Sequence, residues 1–403
     1  MLDIRDVYAA RERVERTARH TPLEYSHTFS EMTGGEVHLK LENFQRTGSF
    51  KIRGATNRIA TLSEDEKEAG VVTASAGNHA QGVALAATRV GVDAIIVMPE
   101  HAPISKLNAT RSYGAEVLLH GEDYDAAADR AHEIEREDGR TYVHAFDDEA
   151  VMAGQGTIGL EIVEDCPEVD TAIVPIGGGG LIAGIATALK AQERDIRVVG
   201  VQAAGAPTVA DSLEKGSIRE RETVDTIADG IAVGKPGKRT FEVIQERVDE
   251  VVTVSDSEIA VALAALLERS KTLVEGAGAV PLAALLSNSF EYEEGETIVP
   301  ALCGGNIDLN TLTTVIMRGL VETGRYLKIR TVLKDRPGAL RRLIDVIAKN
   351  RANIYAIQHD RTSRDMAMNA AEVVIDLETR GHDHVEELLD GVREEGYEVE
   401  VLV

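Results

Sequence analysis

The 403-residue sequence predicts an α/β protein built on a parallel sheet, followed by a smaller ferredoxin-like unit. Three observations carry that reading. Apolar runs at 71–74, 94–98, 171–175 and 298–302 have the length and content of buried strands, and segments of helical period lie between them. Small-residue or glycine turns at 75–79, 177–180 and 304–305 close three of those runs. From Tyr326 the pattern switches to clean alternation in the order βαββαβ.

The elements follow in chain order. Ile4, Val7, Ala10, Val14 and Ala18 share one face, so the spacing predicts an amphipathic helix over 3–18, ended by Thr21-Pro22-Leu23. Val37, Leu39 and Leu41 alternate as a strand, and a helix follows over 55–62. The charge run at 64–68 is a solvated helix end. Helices are expected at 80–89, 103–113, 124–136, 149–165, 182–188, 280–286 and 308–323, with further strands at 115–119 and 198–202. Gly324 marks the boundary between a body of 1–324 and a C-terminal unit of 325–403. There, strands are expected over 327–333, 353–358, 368–377 and 397–401, and helices over 340–347 and 385–392. Pro337 is placed as the first residue of a helix.

Composition narrows the partners. Lys plus Arg is 43 against 68 Asp plus Glu, a net charge of -25, which disfavours nucleic acid and anionic membrane surfaces. Only 12 of the basic residues are Lys, 31 are Arg, and Trp is absent; this acidic, lysine-poor balance points to a salt-rich cytoplasm that screens self-repulsion. Two cysteines, Cys166 and Cys303, make no disulfide framework and fit a reducing compartment. The N-terminus is charged and amphipathic, and no apolar run approaches the roughly 20 residues that span a bilayer, so a soluble cytoplasmic protein is expected.

Chemistry concentrates at Lys51. It sits near a strand-to-helix junction between Phe50 and Ile52, where desolvation lowers an amine's pKa. A neutral amine attacks aldehydes and takes protons. The alternative is a lysine that snorkels from a helix start. The second stretch is Gly177-Gly178-Gly179-Gly180-Leu181, after a strand and before a helix, where close backbone approach and free amides favour phosphate. No Lys-Ser or Lys-Thr pair follows, which excludes a nucleotide-triphosphate loop. A reactive amine plus a phosphate cradle points to pyridoxal phosphate.

Four stretches stand in register: Ser49-Phe50-Lys51-Ile52-Arg53-Gly54-Ala55, Ser75-Ala76-Gly77-Asn78-His79-Ala80-Gln81-Gly82, the tetraglycine turn and Cys303-Gly304-Gly305-Asn306. Together they resemble the threonine dehydratases (threonine ammonia-lyases), over about residues 5–320. Those enzymes have the tryptophan-synthase-β-like, two-lobed, fold-type II pyridoxal-phosphate fold, with a small lobe here at about 50–145. The resemblance implies an enzyme that deaminates L-threonine to 2-oxobutanoate and ammonia, and L-serine as well. It places the cofactor on Lys51, with Phe50 and Gly230 at the two faces of its ring and Asn78 at its phenolic oxygen. The phosphate falls to Gly177, Gly178, Gly179, Gly180 and Leu181, and Cys303 faces the ring nitrogen where the family commonly has Ser. Ser75, Ala76, Gly77, Asn78 and His79 hold the substrate carboxylate, the His79 ring being turned away.

Related serine racemases bind a divalent ion where this chain has Gln202, so no metal is expected. Ala76 stands where racemases have Ser, which argues against racemisation. Glu275, beside glycines, is either a helix cap or a residue facing the cofactor. Asp335, Arg336, Pro337, Gly338, Ala339 and Leu340 resemble the effector loop of an ACT-type domain, which implies isoleucine or valine as effector; a ligand-free dimerisation module is the alternative. A homo-oligomer, dimer or tetramer, is expected. A serine racemase or serine dehydratase, and an amino-acid sensor with an inactive lyase domain, are the competing readings.

Overall fold

The protein is described from a computed structural model, covering residues 1–361, 367 and 369–403. It divides into two compact units, Met1–Leu312 and Thr313–Val403.

In the first unit the strands are β1 (Leu23–Tyr25), β2 (Glu36–Lys40), β3 (Val71–Ala74), β4 (Ala94–Met98), β5 (Glu116–Leu119), β6 (Thr141–Tyr142), β7 (Thr171–Pro175), β8 (Arg197–Ala203), β9 (Glu250–Val254) and β10 (Thr297–Pro300). The larger sheet has the order β1-β2-β10-β7-β8-β9, all parallel except for β1 at its edge. The smaller, wholly parallel sheet has the order β5-β4-β3-β6 and is inserted between β2 and β7. Every residue of β3, β7 and β10 is buried, as expected of parallel strands covered on both faces. The functional turns follow the C-terminal ends of β2, β3, β7 and β10, which is where open α/β sheets hold ligands.

The helix carrying Lys51 spans Lys51–Ala60, so Lys51 is its first residue rather than a neighbour of it. The helix Glu149–Asp165 lies between this helix and Gly180–Leu189, the helix that follows the glycine turn. Both crossings are made backbone to backbone. A Cβ at Gly154 would stand 2.6 Å from the Arg53 carbonyl oxygen, and one at Gly184 would overlap the Met152 carbonyl oxygen.

Arg53, one turn into the Lys51 helix, is 1 % exposed and sits in a closed ionic cluster. It binds Glu42 at 2.7 Å and Glu161 at 2.6 Å, and Lys40 binds Glu161 at 2.7 Å. Lys40 also donates to the Thr21 carbonyl at 2.7 Å. With every charge paired, the desolvation cost is offset locally.

The N-terminal helix is shorter than its apolar face implied. It runs Ile4–Val14, started by an Asp3/Asp6 capping box, and the chain then turns although Ala18 is still buried.

The second unit has β11 (Tyr326–Lys334), the helix Ala339–Lys349, β12 (Asn353–Asp360), β13 (Ala370–Glu378), the helix His382–Glu394 and β14 (Val399–Val401). Its antiparallel sheet has the order β12-β13-β11-β14. This is the expected βαββαβ arrangement; the expected start of β13 at Met368 lies outside the described residues. Pro337 is not the first helical residue. Gly338 caps the helix at φ +83°, and Pro337 stays in the preceding turn.

Candidate active site

The four motifs meet in one cavity of about 1260 Å³. Its walls include Phe50, Lys51, the whole of 75–79, Gly177 to Leu181, Gly230, Glu275, Cys303 and Asn306, so every predicted catalytic, cofactor and carboxylate residue lies on it.

Lys51 donates from Nζ to the Ala145 carbonyl at 3.0 Å and stands 5.2 Å from the centre of the Phe50 ring. Burial pulls its pKa down to about 8, against the opposing pull of Cys303 and Glu275. Roughly a tenth of the amine is therefore neutral at pH 7, against well under a thousandth for an ordinary lysine.

The tetraglycine turn presents unused donors. Among the described residues, no acceptor takes the N–H of Gly177, Gly178, Gly179, Gly180 or Leu181. The Gly178 carbonyl is held by the protein, accepting from Thr240 Oγ1 at 2.6 Å and from the Gly237 amide at 3.3 Å. Gly179 has φ +95°, open to glycine but strained for other residues. Side chains at Gly178 or Gly180 would strike Phe146, so the turn is held close over that ring. Free amides at the start of the helix Gly180–Leu189 fit a phosphate, and the neutral amine of Lys51 fits an aldehyde. The residues present therefore match pyridoxal phosphate.

On the opposite wall, side-chain amides form a directed chain. Asn306 Nδ2 donates to the Thr47 carbonyl at 2.7 Å and to Asn78 Oδ1 at 2.8 Å. Asn78 Nδ2 donates to Glu275 Oε1 at 2.7 Å. Glu275 makes no side-chain capping bond to its helix Gly276–Leu286, which decides between the two roles left open for it: it faces the cavity. Burial raises its pKa to about 7, with the Asn78 bond acting in the opposite sense. Cys303 is 3 % exposed, and burial, then the nearby Glu275 carboxyl, push its thiol well above the ordinary range, so it is neutral.

The His79 ring turns away from the cavity chemistry. Its Nε2 lies 2.9 Å from the Val143 carbonyl, which can only accept, so Nε2 carries the proton. Burial drops its pKa to about 3. Gln202 is fully buried and satisfied: Oε1 accepts from Val209 and Ala210 at 2.9 and 3.0 Å, and Nε2 donates to the Ala206 carbonyl at 3.1 Å.

The stretch 144–147 was not read from the sequence. Ala145 supplies the carbonyl for Lys51, and Phe146 supports the glycine turn. His144 Nδ1 accepts from the amides of Phe146 and Asp147 at 3.1 and 2.8 Å. Asp147 Oδ1 accepts from Arg239 and Thr240 amides at 2.8 and 3.2 Å, capping the helix Lys238–Arg247. Only the cluster of His and aromatic residues after a two-residue strand could have flagged it.

Comparison with known proteins gives the class. Residues 14–304 match the family of pyridoxal-phosphate dependent enzymes, and residues 325–396 match the ACT domain. The chain belongs to the fold-type II pyridoxal-phosphate-dependent enzymes and carries a C-terminal ACT domain. Within that class it is similar over its whole length to two proteins named L-threonine ammonia-lyase. The one from Geobacter sulfurreducens is 50% identical and the one from Thermotoga maritima 46%, each over 402 residues and 100% of both chains. Among solved structures, the processed threonine deaminase isoform 2 of Solanum lycopersicum is 39% identical with a TM-score of 0.76, over 78% of this chain and 86% of that one. Maize serine racemase is 37% identical with a TM-score of 0.75, over 79% of this chain and 98% of that one.

Proposed function

We propose that the protein is a threonine ammonia-lyase that converts L-threonine to 2-oxobutanoate and ammonia, and L-serine to pyruvate and ammonia. The observation that carries this reading is a desolvated lysine amine, with its pKa near 8, in the same cavity as a turn of unpaired glycine amides. The full-length relatives of that name support the choice of reaction.

Bound pyridoxal phosphate supplies the carbonyl that captures the substrate amine and the electron sink for the carbanion at Cα. The chain's own residues do the rest. The amides of Gly177 to Leu181 would hold the phosphate. Phe50 and Gly230 would line the place of the ring, and Asn78 Nδ2 would offer it a donor. The 75–79 turn, at the start of the helix Asn78–Val90, holds the substrate carboxylate. Lys51, as the neutral amine, takes the Cα proton. Cys303, as a neutral thiol, would supply no negative charge to hold a proton on the ring nitrogen, which would favour loss of the β-hydroxyl, with a proton and so as water, over amino transfer. Ala76 lines the cavity without a hydroxyl to serve as a second base, which disfavours the racemase reading.

The ACT match supports control by an amino acid, isoleucine or valine, at 335–340 in a homo-oligomer. No described helix is long and apolar enough to cross a membrane; with the free cysteines Cys166 and Cys303 this fits a soluble cytoplasmic enzyme. The -25 charge supports a salt-rich working medium.

The test is to incubate purified protein with pyridoxal phosphate, high salt and L-threonine, and to assay 2-oxobutanoate with and without isoleucine. Product that falls with isoleucine supports both assignments. Product unaffected by isoleucine or valine removes the effector assignment, and D-serine formed from L-serine replaces the lyase with the racemase. Bound cofactor without turnover of threonine or serine overturns the lyase reading.

A further inference from the structure

The amide chain on the far wall of the cavity has a direction that its end groups impose. The Thr47 carbonyl can only accept, so Asn306 must turn its Nδ2 that way; both Nδ2 hydrogens are then used, on Thr47 and on Asn78 Oδ1. Asn78 therefore presents Nδ2 to Glu275, which accepts at 2.7 Å through Oε1. One Nδ2 hydrogen of Asn78 is left over, and Asn78 lies on the cavity wall. Glu275 has its backbone fixed as well, its N–H donating to the Gly304 carbonyl at 3.0 Å. Its Oε1 is wedged beside Gly304 and lies 3.5 Å from where a side chain at Gly230 would begin. Among the described residues no cation forms an ion pair with it, and its side chain takes its hydrogen bond from Asn78.

We propose that Glu275 is a positioning residue: with Asn306 it clamps the Asn78 amide from both ends and so fixes one N–H as a permanent donor into the cofactor cavity. This deepens the functional reading above and rests on it for the identity of the group that receives the donor. The clamp acts without touching the reacting atoms. Its value lies in preorganisation, because an amide already turned the right way loses no reorientation energy when charge develops opposite it.

A double-mutant cycle tests the clamp, with E275A, N306A, the pair together, and E275Q as the conservative variant that keeps an acceptor oxygen in the same place. The readouts are the visible absorbance of bound pyridoxal phosphate and kcat and KM for L-threonine, with thermal melting of each variant as a check on folding. We expect each alanine variant to shift the absorbance and to lower kcat roughly 10- to 100-fold with little change in KM. The double variant should be no worse than about twofold below the weaker single one, because either change alone frees the same amide. E275Q should recover the absorbance and most of kcat. Independent losses that multiply in the double variant, an unshifted absorbance in E275A, or an E275Q as impaired as E275A would each overturn the clamp. The absorbance comparison needs no substrate, so it still decides the question if the wild type turns over neither threonine nor serine and the lyase reading fails.

Discussion

Lys51 and Arg53 stand two residues apart on one helix, Arg53 fully buried and Lys51 half-buried on the cavity wall, and meet opposite fates. Arg53 has two carboxylates within 2.7 Å, and these hold its guanidinium charged. Lys51 has a backbone carbonyl and an aromatic ring but no ion-pair partner among the described residues, and its pKa falls to about 8. The difference teaches that burial alone does not decide a cation's role. Pairing keeps one side chain charged as part of the scaffold, and its absence leaves the other an amine that gives up its proton more readily.

Breaking each side of that contrast gives different losses. K51A should abolish turnover and the absorbance of lysine-bound cofactor while leaving the melting temperature of the cofactor-free protein near that of the wild type. Retained turnover would remove Lys51 from the chemistry. R53M strands Glu42 in the interior, leaves Glu161 with Lys40 alone, and should cost about 3–5 kcal/mol of stability, read by denaturant unfolding. If R53M unfolds like the wild type, the ionic cluster is not a scaffold.

The Glu275 carboxyl sharpens the comparison from the acidic side. Its pKa is raised from 4.5 to about 7, so across that interval the folded state keeps a proton that the unfolded state has lost. Its contribution to stability therefore falls as pH rises from 4.5 towards 7 and is flat above. E275Q, which never carries the charge, should stabilise the cofactor-free protein at pH 8 by about 2–3 kcal/mol and much less at pH 5. An equal gain at both pH values would rule out titration of Glu275 as the cause. The smallest effect is expected of C303S. Exchanging a weak donor for a stronger one beside the cofactor should move turnover less than about tenfold, in steady-state assays. A larger fall would make the thiol itself essential.

Much of this was legible beforehand because parallel strands buried on both faces appear as unbroken apolar runs, as in β3, β7 and β10. The alternation of β11 and β13, one face in and one out, was equally plain. The residues that meet in the cavity stood out because they lie on backbone turns with short, dense motifs. What escaped was either too short or too distant. β1 is a three-residue edge strand and β6 has two residues, below the length at which alternation shows. The helices Thr208–Lys215, Lys238–Arg247 and Asp256–Ala265 were not anticipated either, and neither was β9. Arg53 finds Glu161 at a separation of 108 residues, and Asn78 finds Glu275 at 197. In the sequence alone nothing links those partners. The N-terminal helix failed differently: its apolar face continues to Ala18, but the chain turns after Val14 and buries Ala18 without helix.

The helix Glu149–Asp165 works as a gauge block. It touches the Lys51 helix at Gly154 and the helix after the glycine turn through Gly184, bare backbone on bare backbone at both faces. The span from the Lys51 amine to the glycine turn is thus set by main-chain thickness, which no exchange of side chains can trim. Substrate preference can drift through the walls of the cavity while the reach demanded of the cofactor stays constant. Widening that reach takes a methyl group at one of these glycines.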